Sequence, residues 1–206
     1  MEEEMPERPL VKAYFDYKSP YAYLAFEPAL KLIPEYGIEL RWMPYLLRIK
    51  GKGERSVYSE WKVRYSYQDA RRLANRRGGF LIRGPRKVYD STASLLGGLY
   101  AAEHDAFVTY SREAFARFFE HRLEIDNMED VTALIQELGF DGHAFAEFAA
   151  TRGAKLLGDA IKSGEEDHVF GVPTFVFEGE QFWGGDRIWL LKERLEAHGT
   201  NATAHT

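Results

Sequence analysis

The stretch FDYKSPYAYLA, residues 15–25, begins as the end of a buried strand and finishes as the start of a helix. At the joint stand Lys18, Ser19 and Pro20. Serine is a preferred helix N-cap and proline is favoured at the first helical position, so the tripeptide marks a helix beginning at residue 20. A helix N-terminus also presents unpaired N–H donors and about half a positive charge. The Ser19 hydroxyl is therefore placed to cap the helix, and equally to face an anion lying beyond the strand end. Upstream, LVKAYFD (10–16) alternates loosely and ends in aromatics, which predicts a central strand. Downstream, Tyr23, Leu24, Phe26, Leu30 and Ile33 keep a helical rhythm that closes near Pro34. GIELRWMPYL (37–46) sets Ile38, Leu40 and Trp42 inward against Glu39 and Arg41 outward, a second strand. Together these segments make a βαβ unit.

The centre of the chain reads as helices. Residues 61–78 form a basic helix ended by glycines, 91–106 a helix of small residues, and 112–124 a strongly amphipathic one. Residues 128–140 and 141–164 read as two more, the first capped by Asp126 or Asn127 and stopped by Gly139. The end returns to β: GVPTFVFEGEQFWGG (171–185) is a hairpin around Glu178-Gly179-Glu180, and 186–198 is a last helix with Asp186 as its cap. The predicted fold class is α/β, a core of βαβ … ββα interrupted by a large all-helical insertion. In domain terms, 10–46 plus 170–198 form the core, 58–165 the insertion, and 1–9 and 199–206 flexible termini.

Composition narrows the chemistry. The 206 residues carry a net charge of −5, so no global basic field recruits nucleic acid. Neither an apolar leader nor a run of 18 apolar residues stands out, which predicts a cytoplasmic protein without a membrane partner. No cysteine occurs. Disulfides, thiolate metal sites and a cysteine nucleophile are therefore excluded, and any thiol chemistry must use a thiol carried by a small molecule. Neither HExxH nor a GK[ST] phosphate loop occurs, and no metal is expected. Asn201-Ala202-Thr203 reads as a chance sequon in a polar tail.

FDYKSPYAYLA near the start, HVFGVPTFVFEGEQFWGGDR (168–187) near the end and the helical block between them resemble the kappa-class glutathione transferases. They are more similar still to the 2-hydroxychromene-2-carboxylate isomerases of that group, which share a DsbA-like thioredoxin fold. Disulfide oxidoreductases of this fold carry Cys-Pro-x-Cys where this chain has Ser19-Pro20-Tyr21-Ala22, and disulfide exchange needs two thiols that are absent here.

The resemblance implies glutathione as cofactor and assigns roles. Ser19 would donate to the glutathione sulfur and stabilise a thiolate without becoming covalently attached. Val172-Pro173, by itself a trans proline opening an edge strand, would be cis and leave Val172 backbone groups free to pair with the tripeptide. Gly184-Gly185-Asp186-Arg187, by itself a glycine turn with a cap, would hold the γ-glutamyl end through Gly185, Asp186 and Arg187. Relatives usually carry Ser or Asn where this chain has Gly185, so one hydrogen bond is expected to be missing.

Tyr17, Tyr21, Trp42 and Trp183 are the aromatics expected on the substrate side. Lys62 falls in a K-x-x-Y-x-x-x-D-x-x-R pattern that also resembles the family. The remaining basic residues, among them Arg48, Lys50, Lys52, Arg55 and Arg64, read as solvated faces or as a carboxylate pocket. The implied activity is glutathione-dependent isomerisation of a small aromatic compound. Alternatives are a kappa-like glutathione transferase and a non-catalytic thioredoxin-fold binding protein. Asp90 stands where isomerases tend to carry Asn, with a following arginine missing, so an anionic substrate is disfavoured if Asp90 faces the pocket. A homodimer is common in the family.

Overall fold

Leu10–Phe15 forms β1, whose burial on both faces makes it a central strand: Val11, Ala13 and Phe15 point to one side and Tyr14 to the other. The computed structural model describes residues 8–48 and 57–199. Almost all of the expected flexible termini lie outside these residues, as do Lys50, Lys52, Arg55 and the Asn201 sequon. β1 pairs in parallel with β2 (Glu39–Pro44) and antiparallel with β3 (Thr174–Phe177). β3 pairs antiparallel with β4 (Glu180–Trp183), giving the order β2-β1-β3-β4. This register sets Trp42, Ala13, Phe175 and Phe182 side by side across one face.

Helices α1 (Pro20–Leu30) and α2 (Leu32–Tyr36) cover that face together with a helix near the chain end, Ile188–Ala197. Ala25, Ala29, Leu32, Ile188, Leu191 and Leu195 close one core with the strands. The Glu178-Gly179 turn of the hairpin has positive φ at both residues, 49° and 79°, as a tight turn matched to strand twist requires.

Between β2 and β3 run α3 (Val57–Arg77), α4 (Thr92–Ala102), α5 (Phe107–Phe119), α6 (Met128–Glu137), α7 (Gly142–Ala150) and α8 (Arg152–Glu166); the helix Ile188–Ala197 is α9. Their core is rich in aromatics, Tyr110, Phe115, Phe118, Phe119, Phe145 and Phe148, and it is continuous with Phe15, Tyr17 and Phe26 of the βαβ unit. The α/β order expected from sequence is observed.

Some boundaries differ. Residues 141–164 form two helices, broken at Thr151 (φ −122°, ψ −101°), whose hydroxyl donates to the Glu147 carbonyl at 2.7 Å. Gly153 lets the chain double back there, because a Cβ would stand 2.6 Å from the Phe148 ring. Asn127, not Asp126, caps α6 by accepting from the Glu129 N–H at 2.8 Å. Asp186 does not cap the last helix. Gly185–Arg187 winds into a single 3₁₀ turn ahead of α9, and the Asp186 carboxylate pairs with the adjacent Arg187 guanidinium at 2.6 Å.

Candidate functional site

Ser19 ends the β1–α1 turn in extended conformation, with its own N–H donating to the Asp16 carbonyl at 3.0 Å. Its Oγ accepts from the Ala22 N–H at 3.2 Å, so the N-cap expected from sequence is formed. Only 4% of the residue is exposed. The hydroxyl proton is also used: Ser19 Oγ donates to the Val172 carbonyl at 3.1 Å. The Val172–Pro173 peptide is cis and faces the start of α1. The loop is held on both sides, by Thr174 Oγ1 donating to Gly171 O at 2.7 Å and by Gly184 N–H donating to Pro173 O at 2.8 Å. The expectation that Val172 keeps its backbone groups free is thus corrected for the carbonyl, which Ser19 occupies.

Gly185 comes against α1. A Cβ built there would lie 2.9 Å from the Ala25 Cβ, so the glycine lets the 3₁₀ turn approach the helix closely. Ser19, Val172, Pro173 and Gly185 therefore gather around the first turns of α1, while Asp186 and Arg187 project into solvent, their side chains 74% and 50% exposed.

The expected substrate-side aromatics fare differently. Tyr17 is fully buried inside the helical block, its hydroxyl shared with Ser111 at 2.8 Å and its ring packed on Phe115 at 4.9 Å. It is packed as core. Gly98 makes room for its hydroxyl, since a Cβ there would lie 2.5 Å away. Tyr21 is half-buried and donates to Asp69 Oδ2 at 2.9 Å, tying α1 to α3. That bond accounts for the aspartate of the Lys62-to-Arg72 pattern without a ligand. Trp42 packs among Phe15, Phe26 and Phe107 and lines a cavity of about 370 Å³ between β2 and the α4–α5 corner, to which none of residues 16–21, 172 or 173 contributes. Lys62 is exposed on α3, one turn before Ser66. Trp183 is half-exposed and stands edge-to-face with the exposed Phe170 at 4.9 Å, beside Gly171 at the entry to the cis-proline loop.

Two residues that the sequence reading passed over complete the turn. Asp16 is 0% and Lys18 5% exposed, with Lys18 Nζ 3.4 Å from Asp16 Oδ2. The Asp16 carboxylate also accepts the N–H of Lys18 at 3.1 Å and of Leu47 at 2.8 Å. Burial pushes this carboxyl above the usual carboxylate range, and the Lys18 ammonium opposes the shift. The buried Ser91 hydroxyl lies beside Asp16 and favours its charged form, without a well-formed hydrogen bond to any described residue. The signal for this pair was in the sequence: two opposite charges, two positions apart, inside a run otherwise fated for burial must compensate each other.

Asp90 stands one residue before the Ser91 N-cap of α4 and accepts the Thr92 N–H at 2.9 Å and the Thr92 hydroxyl at 2.5 Å. Those bonds, and the nearby Lys18 ammonium, hold its carboxyl below the usual range. Among the described residues, no group of three His, Asp or Glu side chains gathers as for a metal. No helix among them is long and apolar enough to cross a membrane.

A model of the DSBA-like thioredoxin domain matches residues 10–196. The chain is similar to 2-hydroxychromene-2-carboxylate isomerase of Pseudomonas putida, 29% identical over 195 residues that cover 90% of this chain and 94% of the relative. It is also similar to "Glutathione S-transferase kappa 1" of Caenorhabditis elegans, 24% identical over 210 residues covering 93% of each. A solved structure of 2-hydroxychromene-2-carboxylate isomerase superimposes with a TM-score of 0.75 at 25% identity, covering 92% of this chain and 96% of that one.

Proposed function

The chain belongs to the DSBA-like thioredoxin domain family, and from that premise we propose a glutathione-dependent isomerase acting on a small aromatic compound. The observation that carries the reading is the Ser19 hydroxyl, which caps α1 and touches the Val172 carbonyl beside a cis proline in a chain without cysteine. The position of a redox thiol is kept and the thiol is gone. The relatives named isomerase and kappa transferase span the same length of chain and support an enzyme of this kind.

The residues present fit glutathione. The α1 N-terminus offers a positive dipole end, and Ser19 a donor able to turn from the Val172 carbonyl to a sulfur. The cis-proline loop and the 3₁₀ turn at Gly185 flank it. When bound, glutathione supplies a thiolate that adds to and leaves an electrophilic carbon of the substrate. Ser19 would hold the sulfur by a hydrogen bond, the positive end of α1 would favour its negative charge, and near-complete burial of the turn would limit water there. Asp186 and Arg187, in solvent and paired with each other, would be the residues to hold the γ-glutamyl end.

Asp90 favours a second reading. Its carboxylate, held below the usual range and exposed near Lys18, would disfavour an anionic substrate if it faces the pocket, which suits a kappa-like transferase of neutral electrophiles. Calorimetry with reduced glutathione, for the native protein and for Ser19→Ala, tests the shared premise. Binding that is lost or weakened in Ser19→Ala is the expected result, and no binding at millimolar glutathione overturns it. Dependence of chromene-carboxylate isomerisation on glutathione then separates isomerase from transferase.

A further inference from the structure

The turn that presents Ser19 carries a charge with no part in the reading so far. Lys18 directly precedes Ser19, and its ammonium is buried where water cannot solvate it. Its Nζ stands 3.4 Å from Asp16 Oδ2 and donates to the Tyr89 carbonyl at 3.3 Å. An ammonium has three donors, and among the described residues the third finds no acceptor. Its surroundings come from four segments. Asp16 lies on the strand end, Tyr89 and Asp90 in the turn before α4, Ser91 at the start of α4, and Tyr67 on α3, where its hydroxyl donates to the Lys18 carbonyl at 3.4 Å. Asp16, Asp90 and Lys18 are the acidic and basic members of this set, and burial pushes the Tyr67 phenol far above its ordinary range, so it stays neutral.

We propose that Lys18 is a positioning residue of this site, its ammonium fixed by Asp16 and the Tyr89 carbonyl so that its field keeps the sulfur of a bound thiol ionised beside Ser19. The proposal rests on the glutathione reading. A serine hydroxyl offers one neutral hydrogen bond and a helix end about half a charge, whereas Lys18 places a whole charge one residue from the cap. An opposite charge within about 4–6 Å lowers an acid by about 1–3 pKa units. Asp16 works in the other direction, so the two members of one buried pair push the sulfur oppositely.

The test titrates the ultraviolet thiolate absorbance of reduced glutathione bound to the native protein, Lys18→Met, Lys18→Arg and Asp16→Asn. In Lys18→Met the bound thiol should titrate about one unit higher than in the native complex. Lys18→Arg should keep the native value and Asp16→Asn should fall below it. General loosening of the turn moves all variants the same way, toward free glutathione. An unchanged thiol in Lys18→Met, or shifts of the same sign in Lys18→Met and Asp16→Asn, overturns the proposal. Should Asp16→Asn fail to fold, Lys18→Met against Lys18→Arg decides. Absence of glutathione binding by the native protein sinks the parent reading and this one with it, while binding with an unmoved thiol in Lys18→Met sinks the role of Lys18 alone.

Discussion

Replacing Gly185 with serine separates two accounts of one position. In the first, the glycine is a missing hydrogen-bonding side chain, and serine strengthens the hold on the γ-glutamyl end of glutathione. In the second, the glycine is present because no side chain fits. The structure favours the second. A Cβ at 185 would sit 2.9 Å from the Ala25 Cβ and 3.5 Å from its Cα, whereas carbon atoms rest at about 3.5–4.0 Å. Serine therefore forces the 3₁₀ turn and α1 apart by roughly half an ångström or more. α1 cannot easily recede, because Ala25 and Ala29 on the same face are packed against the sheet.

Overpacking of this kind costs about 1–3 kcal/mol. For a chain of this length each kcal/mol moves the melting point by about 2–4 °C, so Gly185→Ser should melt about 5 °C lower, with no gain in glutathione affinity. Ala25→Gly removes the opposing methyl at a helix-propensity cost of about 1 kcal/mol. The double variant should therefore lose clearly less than the sum of the two singles. Circular dichroism melts of the three variants read this directly. A Gly185→Ser protein as stable as the native one, or a deficit that Ala25→Gly leaves fully additive, refutes the close-contact account.

Three further outcomes follow from the geometry. Ser19→Ala removes the cap on Ala22 and the partner of the Val172 carbonyl, each about 1 kcal/mol. The ligand-free melting point should fall about 4–8 °C, and Ser19→Thr should recover most of it. Tyr17→Phe strands the buried Ser111 hydroxyl at about 1–3 kcal/mol, and adding Ser111→Ala should restore much of that stability. Glutathione affinity should not change in either protein, and a large change would return Tyr17 to the ligand. Finally, burial raises the Asp167 carboxyl but hydrogen bonds from Lys12 and Tyr14 outweigh it and hold it below the usual range. A depressed carboxyl stabilises the fold above its unfolded value near pH ~4 and loses that contribution as pH falls through the folded value. Melting point against pH should therefore drop less steeply on the acid side for Asp167→Asn than for the native chain.

The β1–α1 joint and the proline strand were legible because their signals are local. A capping serine, a following proline and an alternating apolar run fix geometry within a few residues. What escaped was decided by contacts far apart in the chain. Near Thr151 the local punctuation is Gly153, which by itself does not end a helix, and the break depends on the Phe148 ring folding against it. Tyr17 looked like a pocket aromatic because it stands beside Ser19, yet its partner Ser111 is 94 residues away. Asp186 had the identity of a cap but not its geometry, since the 3₁₀ turn intervenes. The buried Asp16–Lys18 pair was visible as a conflict between charge and burial, although its partners Leu47 and Tyr89 were not.

The burial of Tyr17 has a consequence for building chimaeras. The seam between strand core and helical block does not run at the ends of the block. It passes through the site, because Tyr17 anchors on Ser111 of α5, Lys18 on Tyr89 and Tyr67, and Tyr21 on Asp69. Transplanting residues 15–25 into another scaffold would leave a phenol and an ammonium without hosts, and exchanging the helices would do the same in reverse. The portable unit is the turn together with its partners on α3, on α5 and at Tyr89 before α4, so swapping the helical block of this protein would rewrite the cradle of Ser19 as well.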